Sequence, residues 1–560
     1  MDVPARAGRK RGVSTGSPRP GADQDAVQPR LSRGSGQPAA LTGAEAVYRK
    51  LFESFDRDRD DKVSQWAVLS RLRGCGLRPD DPRIAEALAG LTATEGTSKQ
   101  ISFGQFKEMA RHNSSLIQRA IEGNLAVPDF PALTGDLDRM YAELLPVTSG
   151  SVADYIPQLR RVDPEQLAIA VCTVDGQRFS IGDARTAFCL QSVSKTVSYC
   201  LALEEHGPDE VHRHVGREPS GQSFNELALN RNGLPHNPMV NAGAIMTTSL
   251  IRPEQDIADR FDHVAATWSR LTGGGRVGFS NAVYLSERQT ADRNFALGYS
   301  MRERGAFPPG TDLTQTLEFY FQGCSIEVDA EMLAVAAASL ANAGVCPLTE
   351  DPVFTPGTVQ SCLSLMSSCG MYDFSGEFAF TIGLPAKSGV SDAVMLVVPG
   401  LMGICVWSPR LDEHGNSVRG IEFCRKLVAE YNVHVFDSLV TGRGRSAKRD
   451  PRRKKNQSQI EGVVALTWGA SQGDLNEVRA LVAAGVEPGM ADYDGRTALH
   501  LAAAEGQLEV VRYLLAVGTE PQPVDRWGGT PLSDAEGNGH TQVVDLLRQA
   551  VRETPEAVAV

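Results

Sequence analysis

Apolar positions change their spacing several times along the chain, and each change predicts an element. Leu167 to Val174 is a nearly continuous apolar run, a turn signal follows at Asp175-Gly176, and Gln177 to Gly182 makes a second short strand; together they predict a β-hairpin. Val193, Val197, Cys200, Leu201 and Leu203 then recur three or four residues apart, which predicts a helix with one inward face. Met332 to Cys346 is alanine-rich, short and interrupted by Ser339 and Asn342, so it predicts a buried helix and not a membrane span. Ala393 to Trp407 is apolar but split by Pro399-Gly400, predicting two core strands. Strands at both ends of this block, with helical patterns between, predict a mixed sheet built from both chain ends around an inserted helical subdomain.

The flanking regions have their own patterns. Residues 1–40 are rich in Arg, Gly, Pro and Ser, with seven Lys/Arg against three Asp and almost no large apolar residue. That composition cannot bury a core and predicts a disordered tail; an Arg-rich organelle transit segment is the alternative, though an amphipathic helix is missing. Leu41 to Gly123 is helical in pattern, and Phe52, Phe55, Val68, Leu69 and Leu72 frame a segment, Asp56 to Ala67, that opens like an EF-hand calcium loop. Its turn-glycine position is Asp61 and its bidentate-glutamate position is Ala67, so weak calcium binding or none is expected. A second, degenerate loop from Thr94 to Gln105 would place Ile101 opposite Val63. The run Thr441 to Lys455 carries eight basic residues and reads as a solvated linker, with a nuclear signal or polyanion patch as the alternative. Beyond it Gly495, Thr497, Leu499, Ala502, Gly506, Val511 and Leu514 recur 33 residues later as Gly528, Thr530, Leu532, Ala535, Gly539, Val544 and Leu547. Thr497-Ala498-Leu499-His500-Leu501-Ala502 matches the ankyrin signature, which makes His500 a turn-stabilising residue and not a ligand.

Composition narrows the class without naming a chemistry. A length of 560 residues exceeds a single core, and 42% hydrophobic with 22% charged residues is ordinary for a soluble protein. The formal charge of −12 argues against general nucleic-acid binding. The ten cysteines are scattered with no Cys-x-x-Cys pair, which suggests reduced packing thiols in place of a disulfide frame or zinc site.

The candidate chemistry centres on Ser192-Val193-Ser194-Lys195. Three residues are nearly one helical turn, so Lys195 falls on the same face as Ser192. A serine hydroxyl needs a base, and a lysine made neutral by burial can be one. Ser-x-x-Lys alone is a weak signal that arises by chance. Polar clusters elsewhere in the block strengthen it: Tyr155 to Leu159, Pro235 to Ile245 with Asn241, Glu287 and Asn294 two helical turns apart, Phe319-Tyr320-Phe321, Cys369 to Gly376 with Tyr372, and Lys387-Ser388-Gly389 before a core strand. Each has a plainer reading. Tyr320 can be core, Asn241 a helix cap, Glu287 a surface partner of Arg288 or Arg293, and Lys387-Ser388-Gly389 a strand entry.

Ser-x-x-Lys at a helix start with a later Lys-Ser-Gly resembles the penicillin-binding and serine β-lactamase architecture. The longer strings Asp154 to Leu159, Cys172 to Gln177, Pro235 to Ile245, Asp292 to Ala296, Ser368 to Gly376 and Leu384 to Val390 resemble glutaminase, and the order of domains is similar to the animal kidney-type and liver-type enzymes. The resemblance implies an α/β (α+β) chain: residues 1–40 a tail, 41–125 an EF-hand-like helical domain, 126–438 the β-lactamase-like catalytic domain, 439–458 a basic linker and 459–552 an ankyrin arm. It implies hydrolysis of L-glutamine to L-glutamate and ammonia through a serine acyl-enzyme, with no metal and no cofactor. Ser192 would be nucleophile, Lys195 its base and Tyr372 a proton relay. Tyr155, Gln191, Asn241, Glu287, Asn294, Tyr320, Tyr372 and Val390 would line the substrate pocket, with the backbone N–H groups of Ser192 and Val390 as oxyanion hole. A homotetramer, a protein partner for the ankyrin arm, and mitochondrial (alternatively cytoplasmic) residence are also implied, with no membrane or nucleic-acid partner. Two departures stand out. The animal enzymes carry Ser-Cys-Val-Lys where this chain has Ser-Val-Ser-Lys, a change the chemistry should survive; and they carry a phenylalanine where Ala228 stands in the loop Gly221 to Ala228, so phosphate activation and allosteric inhibitor binding are not carried over. The rival readings are another amide or ester hydrolase on the same fold, and an ankyrin scaffold with an inactive core.

Overall fold

The computed structural model describes residues 43–553 apart from 57, 86–99, 222–225, 438, 440–447, 454–456 and 484–485. The tail 1–40, most of the basic run and the first half of the second loop therefore lie outside the described residues.

In the helical leader, strand β1 (Lys62–Ser64) pairs antiparallel with β2 (Gln100–Ser102), and Val63 sits opposite Ile101 as the spacing predicts. Phe52, Val68, Leu72, Phe106 and Ile117 form its core. The Asp56 carboxylate accepts the N–H groups of Asp60 and Asp61, each at 3.1 Å. Asp61 holds the positive φ (63°) that a glycine would take, and the Arg49 guanidinium pairs with it at 2.6 Å. A fixed cation thus neutralises Asp61 from outside the loop.

The central block is built on a five-stranded antiparallel sheet, order β4-β3-β10-β9-β8. Its strands are β3 (Ala168–Thr173) and β4 (Arg178–Gly182) from the start of the block, and β8 (Ala386–Ser388), β9 (Ala393–Val398) and β10 (Met402–Trp407) from its end. The two chain ends meet as β3 against β10, with Val171 opposite Ile404. Side chains alternate between two cores. Ile169, Val171, Leu396, Ile404 and Val406 face the helices Phe130–Leu144 and Val418–Glu430. Ala168, Ala170, Cys172, Ala393 and Cys405 face the helix Ala330–Ala341. The small residues on that second face let the alanine-rich helix approach closely, and a Cβ on Gly403 would overlap the backbone of Ala334, Ala337 and Ala338. A second sheet of three short strands, β5 (Phe188–Cys189), β6 (Gly278–Phe279) and β7 (Ile326–Val328), ties the inserted helices to the chain entering the first long helix.

The leader clasps the β3–β4 hairpin. Arg83 donates to the Asp175 carbonyl at 2.8 Å, and Arg119 and the Ala126 N–H both bind the Asp175 carboxylate. The Gln177 amide donates to the Cys75 and Val127 carbonyls at 2.8 and 3.0 Å. In the ankyrin arm three helix pairs stack over a core of Leu466, Leu499, Val511, Val544 and Leu547. His500 accepts the Thr497 N–H at 3.1 Å and reaches the Gly529 carbonyl of the next repeat at 3.3 Å.

Candidate functional site

Strand β5 delivers the chain into a 3₁₀ turn, Gln191–Val193, before the helix Ser194–His214 begins. The nucleophile candidate therefore sits in that turn, two residues before the first residue of the α-helix proper. Gln191 holds φ 47°, a left-handed conformation costing about 1–3 kcal/mol for such a residue, which the surrounding packing enforces. Lys195 follows one turn later and its Nζ lies 2.6 Å from Ser192 Oγ. Burial lowers the Lys195 pKa to about 8; the nearby Glu287 carboxylate works against that fall. A minor share of the lysine, roughly a fifth at about pH 7.4, is then neutral and able to take a proton.

A chain of polar side chains closes the other side. Tyr320 Oη donates to Asn241 Oδ1 at 3.3 Å, Asn241 Nδ2 to Asn294 Oδ1 at 3.1 Å, and Asn294 Nδ2 to Tyr155 Oη at 3.4 Å. These bonds decide between the readings left open by the sequence. Asn241 is the first residue of its helix, one past the cap position held by Val240, and its side chain bridges Tyr320 and Asn294. Tyr320 is buried with its hydroxyl engaged, and its ring lies 5.8 Å from Lys195 Nζ. Glu287 is 2% exposed, while Arg288 turns away to Glu318 at 3.0 Å, so no surface pair forms. Burial pushes the Glu287 carboxyl up to about 7, opposed by a hydrogen bond from Gln191 and by the charge of Lys195. A carboxylate, two amides and two phenols around a buried amine fit the head of an amino acid.

Tyr372 is buried with φ 55° and donates to the Ser388 carbonyl at 3.1 Å. Burial raises its pKa, opposed by contact of its phenol with Ser192 and with the Val390 backbone N–H. All ten residues singled out in the sequence as catalytic or substrate-binding thus meet around Ser192 or in the adjoining amide chain. Tyr372 also forms one wall of a cavity of about 290 Å³ whose other walls include Asn237, Met239, Val240, Ser220 and Gly221. That is at the small end of ligand-pocket sizes. Residues 222–225 of the loop ending at Ala228 lie outside the described residues. Among the described residues no group of three His, Cys, Asp or Glu side chains is arranged to hold a metal ion, and no helix is long and apolar enough to cross a membrane.

Two groups at the site escaped the sequence reading. Cys324 closes the helix Leu313–Cys324; its carbonyl accepts Gln191 Nε2 at 3.4 Å, and burial pushes its thiol up to about 12. Four positions after Tyr320, it shares a helical face with a residue already under suspicion, which was the available signal. Lys387 was visible as part of Lys-Ser-Gly but without a role.

Comparison with known proteins gives a consistent picture. The glutaminase family matches residues 150–436, an EF-hand domain matches 47–128, and three ankyrin repeats match 466–555. The rat "Glutaminase liver isoform, mitochondrial" is 44% identical over 428 residues, covering 76% of this chain and 71% of that one. A glutaminase from Nostoc sp. is 42% identical over 329 residues, covering 58% of this chain and 96% of that one. The solved structure of a "probable glutaminase" from Bacillus subtilis, complexed with 6-diazo-5-oxo-L-norleucine, superposes with a TM-score of 0.50 at 32% identity, covering 55% of this chain and 97% of that one.

Proposed function

Given that the chain belongs to the glutaminase family and is a glutamine amidohydrolase, we propose that Ser192 is its nucleophile and Lys195 the base that activates it. The observation that carries this assignment is the 2.6 Å contact between Lys195 Nζ and Ser192 Oγ, with both side chains buried. Neutral Lys195 takes the hydroxyl proton as Ser192 Oγ attacks the side-chain amide carbon of L-glutamine. The backbone N–H groups of Ser192 and Val390 hold the developing oxyanion. The proton passes from Lys195 by way of Tyr372 to the departing nitrogen, ammonia leaves, and an acyl-enzyme remains. Water, activated by the same amine, releases L-glutamate.

Glu287 pairs with the substrate ammonium. Asn241, Asn294, Tyr320, Tyr155 and Gln191 fix the rest of the amino-acid head. The complex of the Bacillus relative supports this reading, because its ligand keeps an amino-acid head and places a carbonyl where glutamine has its amide. Ser192→Ala should lower kcat for ammonia release by at least about 10⁴-fold with the fold intact. Undiminished release would remove Ser192 from the mechanism. Preference for asparagine or a chromogenic β-lactam over glutamine would instead favour another hydrolase on the same fold.

The chain assembles as a homotetramer and resides in the mitochondrion in this reading, supported by the name of the rat relative for the second point. The ankyrin arm docks a protein partner. Light scattering of the full chain and fractionation of cells expressing it test the first two.

A further inference from the structure

We propose that Lys387 is a positioning residue that holds the Tyr372 phenol in line with Ser192 by bridging the Tyr372 ring and the Ser388 carbonyl. The inference rests on the relay role given to Tyr372 above. Lys387 is fully buried on β8, and its hydrogen bonds go to carbonyls: Ser388 at 2.6 Å and Gly370 at 3.1 Å. Its Nζ stands 4.5 Å from the centroid of the Tyr372 ring. The Tyr372 hydroxyl donates to the same Ser388 carbonyl at 3.1 Å. Amine and phenol thus share one acceptor, and the ring is caught between that acceptor and the amine.

Placing a lysine here is costly, because a buried amine gives up its hydration for two carbonyl bonds. A strand entry needs no such group, and a methionine would fill the space. What the amine supplies is specific to Tyr372. This tyrosine sits in a left-handed backbone conformation, held from behind by Ser375 Oγ, which donates to its carbonyl at 2.6 Å. The turn before it is pressed onto β8, where a Cβ on Gly370 would overlap the Ala386 carbonyl oxygen. Lys387 spans that seam, fastening the Gly370 turn and the strand together beneath the ring. Burial and the neighbouring charge of Lys195 both drive Lys387 toward the neutral form, which still has two N–H groups for its two carbonyls.

The experiment is a double-mutant cycle on the full chain, with Lys387→Met and Tyr372→Phe singly and together, read as kcat and KM for glutamine. Lys387→Met should lower kcat about 10- to 100-fold with KM changed less than about threefold, because the amine does not touch the amino-acid head. In the Tyr372→Phe background the same substitution should cost less than about threefold more. A full further loss in that background, or an unchanged kcat in the single variant, would overturn the proposal. Lys387→Gln, which keeps one donor, should fall between the parent and Lys387→Met. Loss of the fold by circular dichroism in both Lys387 variants would also overturn it, since the amine would then be a structural group. A Tyr372→Phe chain with undiminished kcat is a different result: it removes the relay itself and the reading on which Lys387 depends.

Discussion

Replacing Glu287 with glutamine tests the electrostatic core of the site through two independent readouts. The first is binding. A charge-assisted hydrogen bond in a buried pocket contributes about 1.5–3 kcal/mol, so losing the carboxylate that meets the substrate ammonium should raise KM by about 10- to 150-fold. The second is the pH profile. The reactive enzyme needs Lys195 neutral and Glu287 ionised, so kcat/KM climbs as pH rises through about 7 for the carboxyl and about 8 for the amine. Glu287 also supports the lysine's positive charge against burial. With glutamine at 287 that support is gone, the lysine deprotonates at lower pH, and the acidic limb moves toward acid even as the rate falls. The other titratable groups facing the amine do not mimic this. The Cys324 thiol is held near 12, Tyr320 and Tyr372 are raised, and Lys387 is driven toward its neutral form by burial. Ammonia release measured from about pH 6 to about pH 9 decides it. A limb that stays put or moves alkaline, or a KM changed by less than about threefold, would refute the reasoning.

Two further outcomes follow from the packing. Gly403→Ala forces a methyl into the backbone of Ala334–Ala338; it should destabilise the chain by about 3 kcal/mol or more, seen as a Tm lower by at least about 5 °C in thermal unfolding. Calcium at about 1 mM should shift Tm by less than about 1 °C relative to chelator, because Ala67 supplies no carboxylate and Arg49 already neutralises Asp61.

Much of the site was legible because its residues lie in short strings whose side chains have no structural excuse. Ser192 and Lys195 could be paired from spacing alone, since one helical turn fixes their mutual reach. The hairpin, the split strands 393–407 and the alanine-rich helix were readable because period and punctuation agree there. The 3₁₀ turn at Gln191–Val193 was not, because it is set by a left-handed residue that carries no glycine signal. Whether Asn241 capped a helix or bridged to Asn294 could not be read either; the answer depends on two residues 53 apart in the chain meeting in space. The placement of Cys324 and Lys387 at the site was hidden for the same reason, since their bonds run through backbone carbonyls that no side-chain pattern encodes.

The clasp on the first hairpin governs how far this protein can be trimmed. A core cut free at Leu125 would keep the tip of that hairpin but lose its lining. The Asp175 carboxylate would shed Arg119, and the Gln177 amide would lose the Cys75 carbonyl. Anyone seeking a minimal catalyst from this chain has to retain the leader or redesign that tip, because the leader is part of the wall and not a detachable sensor.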